Sequence, residues 1–150
     1  MKHRTLIFLL AIQLALPLCA QSGLHVSALF EGQYRNRNDA TEVIMKGKRI
    51  RQYKLTLFRS LTLNTRTVNT QEIERLVRAD AANALDKEAG MKGGRLYYGF
   101  YRLRPVGHTN RYLFYRNNAL KPGGGHNATL TIIYLEGTAS IEELKKLFGQ

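Results

Sequence analysis

Apolar and polar residues alternate most cleanly in YKLTLFRSLTLN, Tyr53 to Asn64, where Leu55, Leu57, Leu61 and Leu63 share one parity and Thr56, Ser60 and Thr62 the other. A period of two lines one sheet face with leucine, so the stretch predicts a half-buried strand. Arg59 intrudes on the leucine face and Phe58 on the polar one. Ahead of it, TEVIM from Thr41 has strand character, and the KGK at Lys46 to Lys48 offers a glycine turn, giving a two-stranded hairpin. Further upstream, Val26, Leu29 and Phe30 fall at the i, i+3, i+4 spacing of a short amphipathic helix, and the polar YRNRND, Tyr34 to Asp39, reads as a loop.

The longest helical pattern runs from Asn69 or Thr70 to Gly90. Ile73, Leu76, Val77, Ala81, Ala84 and Leu85 fall on one stripe, with Glu72 and Glu74 where the helix dipole favours anions and Asp80 at or near the stripe's edge. Three extended segments follow: Arg95 to Arg104, Asn110 to Asn117, and Ala128 to Glu136. Their short Gly- and Pro-containing connectors, PVGHT and ALKPGGGHN, predict an antiparallel meander. A last helix opens with a capping box, Ser140 and Glu143, and buries Ile141, Leu144, Leu147 and Phe148. The sum is an α+β domain with an antiparallel sheet of about five strands, the hairpin plus the meander, and helices packed on one sheet face.

The first twenty residues stand apart. Lys2, His3 and Arg4 precede an apolar run from Leu6 to Leu16, broken by Pro17 and followed by the small residues Cys19 and Ala20. This is the layout of a secretory signal, expected to be cleaved after Ala20, and the run is shorter than the roughly 20 apolar residues a membrane span needs. Leu18 is a poor neighbour for an acylated cysteine, so lipid anchoring at Cys19 is not expected. The mature chain, 21–150, would be a single cysteine-free domain without a transmembrane span, periplasmic or secreted, relying on its hydrophobic core.

Without Lys2 and Arg4, 21 of the 23 basic residues remain against 11 acidic ones, a net charge of +10 with histidines neutral. Outside the cytoplasm that charge points to acidic glycans, lipid headgroups or an acidic protein as partners rather than to nucleic acid. Two places concentrate it. The segment GRLYYGFYRLRP, Gly94 to Pro105, combines four aromatics with three arginines. If the Pro105 to Asn110 connector is the hairpin loop, Arg104 lies opposite Arg111, Leu103 opposite Tyr112 and Tyr101 opposite Phe114. The more apolar side, with Tyr101, Leu103, Tyr112 and Phe114, then faces the core, while Arg102, Arg104 and Arg111 share the other side with Phe100 and Tyr115. Like charges placed opposite one another call for an anion, supplied by the protein itself or by a ligand. Tyr98, Gly99 and Phe100 echo the centre of an RNA-binding aromatic motif, but Tyr97 stands where its first glycine belongs. The second concentration is KGKRIRQYK, with Lys46, Lys48, Arg49, Arg51 and Lys54: a solvated hairpin by the ordinary explanation, a phosphate- or membrane-surface-binding one by the sharper alternative.

Catalytic chemistry finds little to build on. His25, His108 and His126 are not at metal-ligand spacing, PGGGHN lacks the lysine and hydroxyl of a phosphate loop, and Asp86 and Glu88 would not share a helix face. No metal, no cofactor and no enzymatic activity are expected. The segments DKEAGMKGGRLYYGFYRLRP, NRYLFYRNN and TIIYLEGTAS resemble small exported proteins of Bacteroidetes that form a family of unknown function. The resemblance implies an envelope location and supplies no ligand. The expectation is an exported, non-enzymatic binding or interaction domain, or alternatively an envelope module that holds acidic glycan or lipid headgroups on a basic, aromatic sheet face. N-terminal sequencing of the exported protein is expected to begin at Gln21; a blocked, acylated Cys19 would contradict that reading.

Overall fold

The computed structural model describes residues 23–123 and 127–148, so the stretch 1–20 expected to be a cleaved signal, Cys19 and His126 lie outside the described residues. The chain opens with a 3-10 helix, His25–Phe30, followed by strand β1 (Ala40–Lys46), the one-turn helix α1 (Lys48–Arg51), β2 (Leu55–Asn64) and helix α2 (Thr70–Ala81). Strands β3 (Asp86–Lys92), β4 (Arg95–Val106), β5 (Thr109–Asn117) and β6 (Thr129–Gly137) come next, and α3 (Ile141–Phe148) closes the order. All strands pair antiparallel in one open six-stranded sheet, ordered β1-β2-β6-β5-β4-β3.

The sixth strand corrects the sequence expectation. The helix begins where expected, with the Asn69 side chain accepting from the Glu72 N–H at 3.1 Å, but it ends at Ala81. Asp86–Lys92 then pairs along β4 as the sheet edge. Almost every residue of this strand is exposed, so it carries no alternating pattern; its order comes from the backbone ladder to β4. The overlooked signal is the turn: Gly93 and Gly94 both have positive φ, 56° and 74°, as two-residue hairpin turns require.

Helices cover both faces of the sheet, not one. On the first face, Val26, Leu29 and Phe30 of the 3-10 helix and Ile73, Val77 and Ala81 of α2 pack on Leu61, Leu63, Tyr101, Leu103, Leu113, Tyr115, Leu130, Ile132 and Tyr134. On the second, Ile50 of α1 and Leu144 of α3 pack on Leu55, Phe100, Tyr112 and Leu135. The central strands explain why: in β6, Leu130, Ile132 and Tyr134 face one way while Ile133 and Leu135 face the other. A strand apolar on both sides needs cover on both sides. The capping box of α3 forms as expected, Ser140 N–H donating to Glu143 Oε2 at 2.8 Å and Glu143 N–H to Ser140 Oγ at 3.2 Å. Gly137 sits where β2 and β6 converge; a Cβ there would strike the Lys54 carbonyl and stand 2.7 Å from Leu55 Cα.

Two buried carboxylates of α2 lock the first layer. Asp80 accepts the His25 and Val26 N–H groups at 2.8 and 2.9 Å and so anchors the 3-10 helix. Glu74 accepts from Arg78 Nη2 and Arg95 Nε, both at 2.6 Å, and from the Leu96 N–H at 3.0 Å, tying α2 to β4. Burial alone pushes the Glu74 carboxyl up, but the Leu96 N–H, Arg95 and Arg78 together outweigh it and hold it below the ordinary carboxylate range. A depressed folded value means the tie is fully present above about pH 4.3 and fades as pH falls through the folded pKa. Glu74→Gln is expected to cost about 2–3 kcal/mol in denaturant unfolding at pH 7 and to shrink the loss of stability below about pH 4; an unchanged midpoint and acid limb would contradict this.

Candidate functional site

The β4–β5 hairpin is one residue out of the expected register. Leu103 stands opposite Arg111, Arg102 opposite Tyr112, Tyr101 opposite Leu113 and Phe100 opposite Phe114. The cause lies at the turn. β4 continues through Pro105 to Val106, which pairs with Thr109 around Gly107 (φ 58°), and the extra residue is absorbed as an irregularity between Leu103 and Val106. Proline, having no N–H to give the ladder, suits such a bulge.

That slip divides the expected cationic aromatic face. Phe100 is buried in the second core and Tyr115 in the first, on opposite sides of the sheet. Tyr112 and Phe114 lie with Phe100, while Tyr101 and Leu103 lie on the other side. Arg102 is exposed on β4 opposite Tyr112 and, on the edge strand, Asp86. The Tyr112 hydroxyl donates to the Ala139 carbonyl at 2.7 Å, and burial, with the acidic first turn of α3 nearby, keeps it protonated against the pull of Arg102. The aromatics are therefore packing material. Arg104 and Arg111 do come together, on the 3-10 helix side: both line one cavity with His25, and Arg111 Nε donates to the Arg104 carbonyl at 2.8 Å.

The second basic cluster stays together and gains a neighbour the sequence did not reveal. Gly47 (φ 80°) turns the chain into α1, whose Lys48, Arg49 and Arg51 are exposed while Ile50 plugs the second core. Lys54 is exposed but, unlike its neighbours, is paired: its Nζ meets Glu143 at 2.5 Å, and its carbonyl accepts the Thr138 and Ala139 N–H groups at 2.9 and 3.1 Å. Lys46, Lys48, Arg49 and Arg51 have no carboxylate within 4.0 Å among the described residues. Beside them opens a largely apolar groove of about 490 Å³, lined by Met45, Arg49, Ile50, Gln52, Tyr53, Leu55, Phe58, Leu147 and Phe148. Phe58 and Phe148 stack at 6.5 Å to form its floor, and Met45, Tyr53 and Leu147 leave 37%, 44% and 46% of their surface in solvent. The signal for it was present but scattered: Met45 and Phe58 off the buried leucine face, and Leu147 and Phe148 ending α3.

No group of three or more His, Cys, Asp or Glu side chains among the described residues is placed to hold a metal ion, and no described helix is long and apolar enough to cross a membrane. The fold and its surfaces define a small α+β domain with an open antiparallel sheet. The chain belongs to the protein family described as "Family of unknown function (DUF6108)", whose model matches residues 13–148. No curated protein and no solved structure matches it.

The division between packing and surface is measurable. Phe100→Ala and Tyr115→Ala are each expected to cost about 3 kcal/mol or more in urea unfolding, and Arg102→Ala no more than about 0.5 kcal/mol. Aromatic truncations without cost would return those rings to the surface.

Proposed function

We propose that this chain is an exported, non-enzymatic binding domain of the bacterial cell envelope that takes an anionic amphiphile at the β1–β2 turn. One observation carries the reading: four cations with no carboxylate within reach among the described residues stand beside a groove that is mostly apolar and open to solvent. The two parts match the two halves of an anionic lipid. Each basic side chain near an anionic surface contributes about 1 kcal/mol, and each buried methylene of an acyl chain about 0.8 kcal/mol. Four cations thus favour an anionic over a neutral surface by about three orders of magnitude at low salt. The export half of the proposal is supported by the charged, apolar and small-residue order of residues 1–20. The binding surface is the basic turn, not the aromatic face of the β4–β5 hairpin.

A second reading, an interaction domain for one protein partner, is favoured by β1. This edge strand exposes Val43, Ile44 and Met45 by 38%, 46% and 37%, and its outer backbone groups are open to another strand. Vesicle co-sedimentation of residues 21–150 separates the two. Phosphatidylglycerol-containing vesicles are expected to bind at least about a hundredfold more tightly than phosphatidylcholine alone. Binding is expected to weaken with salt and in K48Q/R49Q/R51Q, and Leu147→Ser to weaken the part that salt leaves behind. Equal binding to both vesicles, or none alongside salt-insensitive capture of a single protein from envelope extract, would replace the lipid reading with the second one.

A further inference from the structure

On the sheet face opposite the groove, a smaller cavity of about 210 Å³ lies between the 3-10 helix, α2 and the bulged end of the β4–β5 hairpin. His25, Asp80, Asn83, Leu103, Arg104 and Arg111 line it. Its one lining carboxylate is already saturated. Asp80, with its side chain only 2% exposed, accepts the two backbone N–H groups of His25 and Val26 and the His25 Nδ1 at 2.8 Å. This fixes the imidazole by one nitrogen and leaves Nε2 as its remaining polar atom.

The two arginines are placed by the same bulge that overturned the expected register. Arg111 Nε is held on the Arg104 carbonyl, which brings both side chains to one cavity wall. Neither guanidinium has a carboxylate within 4.0 Å among the described residues. The nearest competitor in the ladder is Glu136, the cross-strand partner of Arg111: its carboxylate accepts the Tyr134 hydroxyl at 2.6 Å, and the Arg111 side chain also reaches that hydroxyl. A cavity with two arginines that have no carboxylate within reach and one saturated acid is complementary to one small anion.

We infer that this cavity is a binding site for a compact oxyanion, a phosphomonoester or a sugar carboxylate, independent of the groove beside α1. Guanidinium forks match the planar carboxylate and the phosphate edge. A cavity of about 210 Å³ admits the anionic head of a sugar and is too small for the continuous surface of a bilayer.

Calorimetric titration of residues 21–150 with inorganic phosphate, glucose 6-phosphate and glucuronate tests the inference, with NMR shifts of His25 locating the site. Saturable binding of at least one of them is expected, phosphate ligands leading if the anion is a phosphomonoester and glucuronate if it is a carboxylate. Arg104→Gln, at an exposed position, is expected to weaken binding about tenfold, whereas Lys121→Gln, equal in charge loss, leaves it unchanged. Glu136→Gln is expected to tighten it several-fold by removing the competing carboxylate. No saturable binding of any of the three, or equal losses in Arg104→Gln and Lys121→Gln, would overturn the inference.

Discussion

Carboxylates are scarce in this chain, and the fold turns most of them inward or pairs them. Glu74 and Asp80 are the extreme cases, nearly sealed from solvent: Asp80 accepts three hydrogen bonds from His25 and Val26, and Glu74 accepts two from Arg95 and Leu96 of β4 besides those of Arg78 within α2. Asp39, Glu42, Glu72, Glu88 and Glu143 are each paired with a basic side chain, and Glu136 with a tyrosine. With 21 cations against 11 anions in the described chain, this engagement leaves the surplus positive charge on arginines and lysines that have nothing opposite them. Where those cations gather is then a property of the fold, not of composition alone.

The fold gathers them by geometry at one end of the sheet. The β1–β2 turn, the β4–β5 hairpin tip and the end of β6 all lie there, since Leu55 and Asn110 both pair with Gly137. Helices on the two faces then separate the cations into two settings. On one side α1 and the end of α3 leave an apolar groove beside Lys48, Arg49 and Arg51; on the other the Asp80-anchored 3-10 helix closes a small cavity around Arg104 and Arg111. The two settings differ in character, an apolar groove beside three exposed cations and a smaller, more polar cavity beside two arginines, although both draw on the same surplus charge.

How much of this was legible followed the physics of each signal. Burial patterns marked β2, β5, β6, the start of α2 and the span of α3, because in those segments the side chains themselves record the environment; Leu147, expected on the buried face of α3, is instead 46% exposed. The edge strand β3 was read as helix because DKEAGMK records nothing: an edge exposed on both faces is held by its neighbour's backbone, and only Gly93-Gly94 announced the turn. The β4–β5 register depended on one residue at Pro105, and a single-residue slip exchanges sheet faces, so the arginine cluster moved with it. Helices on both faces were implied by the doubly apolar β6, an implication hidden while the hairpin register was taken to split apolar from polar sides. The cluster Lys46, Lys48, Arg49, Arg51 and Lys54 was local in sequence and stayed local in space; what the sequence left hidden was the groove, assembled from β1, α1, β2 and α3.

If the β1–β2 turn and the end of α3 meet an anionic amphiphilic surface, as proposed, a spin label's depth in the bilayer records that contact. Single cysteines at Leu147 and at Lys87, each labelled in a chain from residue 21 onward, report the two ends of the question by power saturation on phosphatidylglycerol vesicles. The account predicts a label at 147 protected from aqueous relaxant and exposed to oxygen in the bilayer, with the label at 87, on the opposite edge strand, remaining in water. Both labels aqueous on vesicle-bound protein, or the label at 87 the deeper of the two, would contradict it.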